Sequence, residues 1–503
     1  MALSKIKSAT IWGLRVLAME IEVDLSNGLP GFVIVGLPDK AVEEAKERVK
    51  SAIKNSGFNF PQRRIIVNLA PADIPKEGPA YDLPIALGIL AASGQVKAEF
   101  DKILALGELS LNGNLRYTNG ILPIILESKK LDVDTLFLPA QNSKEIPNLG
   151  NLNIYPTKSF KDLIFHLNNE KKLSPLLQSE FSFEVEDYLI DMADVKGQEH
   201  GKRALELAAS GAHNVLMYGP PGSGKTLLSK AFAGILPPLT LNEAIEITKI
   251  YSVSNLLEEK QGLIKKRPFR SVHHTSSDIA IVGGGKNPKP GEISLAHRGV
   301  LFMDELPEFP RSVLEVLRQP LEEGEISISR AQGSVKYPAK FILISAMNPC
   351  PCGHLGDTKK ECTCSMQQIT KYQTKVSGPL MDRIDIHLEI PKINFEKLSS
   401  TERGEISASI RERVVKAREI QRERFKSSKT LTNSEMTNEE LKRYCQVGAK
   451  ELELLKSAVE KLGLSARAYN RILKISRTIA DLEDSENIKT NHVAEALQYR
   501  PKK

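Results

Sequence analysis

The 503-residue sequence contains no run approaching the ~18 uninterrupted apolar residues that a membrane-spanning helix needs, which argues against a membrane-embedded class. Its first residues, MALSKIKSATIWGL, lack the apolar core and cleavage site of a secretory leader, so the sequence predicts a cytoplasmic location. A strong charge bias is also missing. The net charge of +7 permits a polyanionic partner without requiring one. Cysteine is scarce, with five in all, four of them crowded into residues 350–364 and Cys445 alone. Thiols kept reduced in the cytosol and clustered in this way suggest a metal before a disulfide. No internal repeat is visible. What remains is 41% hydrophobic and 26% charged, ordinary for a globular chain, and the length suggests about three domains.

Organisation follows from the patterning. Residues 1–167 mix β-rich apolar runs, RIIVNLA (64–70) and TLFLPA (135–140), with helical spacing of Ala41, Val42, Ala45, Val49 and Ile53. DLPIALGILAA (82–92) reads as a buried helix. Residues 168–186 are polar and irregular and read as a linker. Residues 187–391 alternate helices with short apolar strands of the kind buried in a parallel sheet: VLMYG (215–219), VLFMD (300–304) and FILISAMN (341–348). Residues 392–503 are helical in pattern and charge-rich, mostly solvated faces. The expected class is a multidomain α/β and α+β protein.

The strand VLMYG runs into Gly219-Pro220-Pro221-Gly222-Ser223-Gly224-Lys225-Thr226 and then into the apolar helix LLSKAFAGIL. That context is a P-loop. Glycines let backbone amides close around phosphate oxygens, and the helix N-terminus adds partial positive charge. Lys225 would pair with the β- and γ-phosphates of ATP, and Thr226 would ligate Mg²⁺. Downstream, VLFMDEL delivers Asp304 to hold Mg²⁺ and Glu305 to act as general base on the attacking water. FILISAMN ends in Asn348, which either orients that water near the γ-phosphate or satisfies a turn.

Four thiolates, Cys350, Cys352, Cys362 and Cys364, with His354 as a substitute ligand, can hold a structural Zn²⁺, although C-x-C spacing is tighter than usual. The stretch EISISRAQGSVKYPAKF (325–341) reads as a β-hairpin with Arg330 and Lys336 beside its tip. GGGKNPKPG (283–291) is a Gly-rich loop carrying Lys286 and Lys289. Positive charge on either loop suits phosphate contact, and a solvated surface is the competing reading.

The order of P-loop, acidic strand, sensor Asn and helical lid resembles the AAA+ ATPases. More closely, DVKGQEHGKRALELAASGAHNVLMYGPPGSGKT, PGEISLAHRGVLFMDELPEF, AMNPCPCG and SGPLMDRID resemble magnesium-chelatase-like ATPases of the YifB/ComM family, over nearly the whole chain. The resemblance implies that Arg383 is an arginine finger acting on a neighbour's site, with an ion pair to Asp382 or Asp385 as the alternative. It implies that Arg467, or Arg471 one turn on, is the lid sensor. A finger acting in trans requires head-to-tail subunits, hence a homo-oligomeric ring, expected to be a hexamer. The insert near 283–291 would face the ring's pore, and the hairpin would contact nucleic acid.

The N-terminal motifs GLPDKAVEEAKERVKSAI, RIIVNLAPADIPKEGPAYDL and GELSLNGNLRYTNGILP resemble the Lon-protease-type domain. Ala80 stands at the serine position and no lysine falls near Leu122, so no peptidase dyad is present. Lys76 and Glu77 are expected to be exposed there. The family resemblance implies an ATP-dependent DNA motor, a branch-migration helicase working with single-stranded or branched DNA and with recombination proteins. The alternatives are a metal-insertion chaperone, an ATP-dependent protein remodeller or protease, and a nucleotide-gated scaffold.

Overall fold

Strict alternation builds the first sheet. In strand β2 (Arg15–Ser26) Met19, Ile21, Val23 and Leu25 are buried, and in β4 (Arg64–Ala70) Ile65, Val67 and Leu69 are. The antiparallel register sets Ile21 opposite Leu69 and Val23 opposite Val67, so both apolar sets fall on one face. With β1 (Ala2–Trp12), β3 (Gly31–Val35), β5 (Ile103–Ala105), β6 (Thr135–Pro139) and β7 (Asn153–Thr157), they form a seven-stranded mixed sheet in the order β3-β4-β2-β1-β5-β6-β7. Helix Lys40–Asn55, capped by the Asp39 carboxylate on the Val42 amide, buries Val42, Ala45, Val49, Ala52 and Ile53. Ala41, expected on that face, is only half-buried. Helix Asp82–Ala92 is buried along nearly its whole length.

This is a computed structural model that describes residues 2–74, 76, 78–147, 152–176, 190–257, 262–285, 288–330, 333–357, 360–393 and 403–501. Glu77, Lys286 and residues 177–186 of the expected linker lie outside the described residues. The chain divides into two compact units. One is Met1–Ser182 with Thr240–Ile264, and the other is Phe183–Leu239 with Lys265–Lys503. The segment 240–264 thus departs from the continuous 187–391 block read from the sequence. Its helix, Leu241–Val253, starts with a Thr240/Glu243 capping box and buries Ala244, Ile247 and Ile250. It packs on helix Ile121–Leu126, and the Ser252 hydroxyl accepts the Gly120 amide at 3.0 Å. Periodicity finds such a helix but does not say which sheet it serves.

The second unit is built on five parallel strands, β8 (Val215–Tyr218), β9 (Phe269–Val272), β10 (Val300–Met303), β13 (Ile342–Met347) and β14 (Ile386–Glu389). Their order is β9-β10-β13-β8-β14, while β11 (Glu325–Arg330) and β12 (Gly333–Pro338) form a separate antiparallel hairpin. Both faces of the sheet are covered, so β10 and β13 are buried at every residue. Helices Ser407–Arg424, Asn438–Tyr444, Ala449–Leu462, Ala466–Leu482 and Thr490–Gln498 follow. Their Ile410, Val414, Ile472, Ile475 and Ile479 share one core with Val215, Phe302 and Ile344 of the sheet. Among the described residues no helix is long and apolar enough to cross a membrane.

Candidate nucleotide site and cysteine cluster

Parallel strands present their carboxyl ends along one edge, where ligands of open α/β sheets bind. Tyr218 of β8 lies in register with Met347 of β13, and Ser345 with Met303 of β10. The residues that follow these strands, Gly219, Asn348 and Asp304, therefore emerge side by side. The loop after β8 turns through Gly222 (φ +73°) and Gly224 (φ +93°), a left-handed backbone that favours glycine, and helix Lys225–Ile235 begins at once.

Lys225 is buried, and its ammonium donates to the carbonyls of Gly219 (2.7 Å) and Pro220 (3.0 Å) and to Asn348 Oδ1 (3.3 Å). Burial lowers its pKa, opposed by the charge of Asp304. The Thr226 hydroxyl donates to Asp304 Oδ2 at 2.9 Å. The other Asp304 oxygen accepts the Glu305 amide at 2.9 Å, and Glu305 adopts a left-handed backbone (φ +52°). The buried Ser223 hydroxyl has no hydrogen-bond partner among the described residues. A buried cation whose hydrogen-bond acceptors among the described residues are neutral oxygens, with an orphaned hydroxyl and a helix N-terminus beside it, suits a phosphate chain. Thr226 with Asp304 offers two hard oxygen ligands for the accompanying Mg²⁺.

Two residues that pair with expected site residues escaped the sequence reading. His274, just past β9, places Nδ1 3.3 Å from Glu305 Oε2. The doublet His273-His274 after a short strand was its signal, but only the strand order puts it beside Glu305. Glu322, at the end of a short helix, pairs with Arg383 and also lies 3.4 Å from Arg467 Nη2.

Arg383 is not paired with Asp382 or Asp385, the carboxylates expected as its alternatives. Its partners are Glu322 and, at 2.6 Å, the Pro379 carbonyl, and it is buried. Asp385 instead binds Arg471, accepts the Asn214 amide at 2.9 Å and faces His213 at 3.7 Å. Burial alone would push the Asp385 carboxyl up. The Arg471 guanidinium, His213 and the Asn214 amide together hold it far below the ordinary carboxylate range. Arg471 is thus occupied at the sheet, while the Arg467 side chain is 60% exposed.

Cys350, Cys352, Cys362 and Cys364 bring their sulfurs within 4.8 Å of one another, a set that could hold a metal ion. All are free thiols. The amide of His354 holds the Cys352 thiol down to about 5, against the effect of burial. His354 itself, named as a substitute ligand, is not in the set; its Nδ1 lies 3.2 Å from Asp357. Cys445 is buried and distinct, and burial raises its thiol to about 12.

The two lysine-bearing loops meet. Tyr337 of β12 is buried and donates to the Pro288 carbonyl at 2.6 Å. Lys289 lies in a short strand pair with Gly284 opposite it, and Lys336 pairs with Glu325. Arg330 ends β11. In the first unit the Ala80 carbonyl accepts the Gly107 amide at 2.8 Å, and Leu122 is fully buried. Lys76, expected to be exposed, is buried with its ammonium on the Pro71 carbonyl, because the chain folds back to pair it with Leu37 and Asp39.

The family description "Magnesium chelatase, subunit ChlI" matches residues 191–398, and its companions "Subunit ChlI of Mg-chelatase" and "Magnesium chelatase, subunit ChlI C-terminal" match 21–142 and 404–500. The chain is 48% identical to "Competence protein ComM" of Haemophilus influenzae, covering 99% of this chain and 98% of that protein. It is 42% identical to "Uncharacterized protein YifB" of Escherichia coli, covering 99% and 97%. A "Magnesium-chelatase 38 kDa subunit" of Rhodobacter capsulatus is 29% identical over 31% of this chain and 49% of its own length. With near-complete coverage of both chains and all three ChlI segments in order, this protein belongs to the YifB/ComM family of magnesium-chelatase-like AAA+ ATPases.

Proposed function

We propose that this protein is a ring-forming, ATP-driven DNA motor, a branch-migration helicase serving recombination during DNA uptake. One observation carries the reading: a P-loop lysine, a Thr–Asp pair and a strand-end Asn converge at one sheet edge in a chain similar over its full length to a protein named for competence. The alignment with the Rhodobacter capsulatus magnesium-chelatase subunit spans 31% of this chain at 29% identity, against 99% at 48% for the competence protein, which gives a metal-insertion role less support.

In this reading the amides of 222–225 and the Lys225 ammonium bind the β- and γ-phosphates, the ammonium trading its carbonyl partners for phosphate oxygens. Thr226 and Asp304 would hold Mg²⁺, which would supply neutralisation of charge on the transferring phosphoryl group. Glu305 takes a proton from the attacking water, and Asn348 orients that water. Arg383 of one subunit completes the site of the next, Arg467 reports nucleotide to the helical lid, and six subunits close the ring. The loops bearing Lys286, Lys289, Arg330 and Lys336 contact the DNA backbone in the pore. The first unit serves as a Lon-protease-like assembly domain without a peptidase dyad, since Ala80 carries no nucleophile. Zn²⁺ is the metal for the four cysteines, the usual ion of an all-thiolate tetrahedral set.

The test is ATP turnover with no DNA and with single-stranded, duplex and forked DNA, followed by strand exchange on a forked substrate. Forked or single-stranded DNA should stimulate turnover, and ATP should drive strand displacement. Intact turnover with no ATP-dependent displacement would exclude the DNA-motor reading.

A further inference from the structure

The loop 350–364 has no regular secondary structure among its described residues, yet it adjoins the nucleotide site. Holding such a segment in one conformation costs roughly 1–2 kcal/mol per residue of backbone entropy, with no hydrogen-bonded ladder to offset it. Its four thiols do not act as core: Cys350 is buried, but Cys352, Cys362 and Cys364 are only half-buried.

The sulfur geometry fits an ion. Cys350 Sγ lies 3.4 Å from Cys352 Sγ and 3.6 Å from Cys362 Sγ, and Cys352 and Cys362 are 3.6 Å apart. Four sulfurs around a tetrahedral ion at ~2.3 Å stand about 3.8 Å from one another. A disulfide would bring a pair to about 2 Å. The Leu355 amide donates to Cys350 Sγ at 3.3 Å and so supports a thiolate there.

Two contacts tie this loop to the P-loop. The Gly353 amide closes a turn on the Cys350 carbonyl at 3.0 Å and lays Gly353 on Pro221. A Cβ at Gly353 would stand 2.6 Å from Pro221 Cδ, closer than side-chain carbons approach, and the residue's φ of +81° also disfavours any other side chain. Asn348, which accepts from Lys225, is two residues before Cys350, and the intervening Pro349 carbonyl is fixed by Gln373 at 3.0 Å. Together they link the cysteine cluster to the phosphate-binding backbone at Pro221 and to its lysine through Asn348.

We propose that the metal-bound cysteine loop is a clamp on the nucleotide site, so that metal occupancy sets the affinity and turnover of MgATP. The inference rests on the zinc reading above and adds a role to it. Zinc braces Gly353 against Pro221 and fixes Asn348 at Lys225. Without it the fold of the sheet persists and the P-loop loses one wall. The 350–364 loop is then a positioning element, touching no substrate atom itself.

The experiment uses the full-length protein purified without chelator. Elemental analysis should give about one zinc per chain. Stripping the zinc with a thiol reagent and chelator, then reversing the thiol block, should weaken binding of a fluorescent ATP analogue in excess Mg²⁺ by about tenfold or more, the scale of effect expected of a small misplacement at a site. Readding zinc should restore it. Gly353→Ala should keep its zinc and still raise the dissociation constant and the KM for ATP several-fold, because its Cβ displaces Pro221. Less than half a zinc per chain would overturn the metal reading. One zinc per chain, with nucleotide binding unchanged within twofold both on stripping and in Gly353→Ala, would overturn the clamp while leaving the zinc. Nucleotide binding is measured directly, so the clamp stands or falls whether or not the protein proves to be a DNA motor.

Discussion

The guanidinium of Arg383 is paired with Glu322 of its own chain. For Arg383 to serve a neighbour's site, that pair must open on assembly and exchange one anion for another. Arg383→Ala should therefore lower ATP turnover by two or more orders of magnitude while leaving nucleotide affinity within a few-fold. Mixing it with Lys225→Ala protein provides the decisive measurement. Each parent is inactive, but mixed rings contain interfaces with an intact P-loop on one side and an intact finger on the other. Turnover should reappear in proportion to mixing. If it does not, Arg383 acts within its own subunit.

Arg471 and Arg467 sit one turn apart on helix Ala466–Leu482 and have different partners. Arg471 neutralises the buried Asp385, whose carboxyl is held well below its ordinary range. A depressed carboxylate contributes stability that is complete above its unfolded value near 3.8 and is lost as pH falls further. Arg471→Ala should thus cost on the order of 3 kcal/mol at neutral pH, the penalty for leaving a buried charge unpaired. The deficit should shrink in acid. Arg467→Ala, at an exposed position, should keep the melting temperature and instead weaken the nucleotide response. Thermal melts of both variants at pH 7 and pH 3.5, with and without MgATP, separate the two roles.

Sequence patterning read the strands of the second sheet well because both faces of a parallel sheet are covered: β8 and β10 are apolar runs, β13 is interrupted by Ser345 alone, and a phosphate loop must be rich in glycine. The sequence reading pairs Thr226 and Asp304 as expected ligands of one Mg²⁺, and a hydrogen bond joins them across 78 residues. No such expectation ties Glu322 to Arg383 or His274 to Glu305. Those pairs depend on strand order and on where short helices end, which periodicity does not encode. The same gap hid the placement of helix Leu241–Val253, which belongs to the first unit although its neighbours in sequence belong to the second. Lys76 misled for a related reason: a lysine in a Pro/Gly-rich run reads as surface until the chain folds back over it.

Glu145 gives the first unit a pH response. Burial pushes its carboxyl up to about 7, against the hydrogen bond from Asn142. A raised carboxyl favours the protonated form. Its contribution is fully present below the ordinary value of 4.5 and is lost as pH rises through about 7, a difference of roughly 3 kcal/mol. Glu145→Gln keeps the shape without the charge. It should match the wild type in thermal melts at pH 4.5 and exceed it by several degrees at pH 8. Equal melting temperatures at pH 8 would mean that Glu145 is hydrated or paired in solution.

Tyr337 joins the hairpin to the segment that carries Lys289, and its loss should separate basal from DNA-stimulated turnover. The phenol is buried and burial raises its pKa, so it remains a donor to the Pro288 carbonyl across the working pH range. Tyr337→Phe leaves that buried carbonyl unsatisfied, a local cost of about 1–3 kcal/mol borne by the two loops and not by the P-loop. Basal ATP turnover should stay within twofold, while the stimulation by forked DNA falls. Lys289→Glu should weaken DNA binding evenly across sequences and flatten the salt dependence by about one counterion, as expected for loss of a phosphate contact. A hairpin that contacts DNA without help from the 283–291 loop would leave Tyr337→Phe fully stimulated, and a solvated loop would leave Lys289→Glu bound as before. The pair of variants therefore decides whether the two loops work as one DNA-facing element, because only a joined element makes the buried phenol matter to a ligand it never touches.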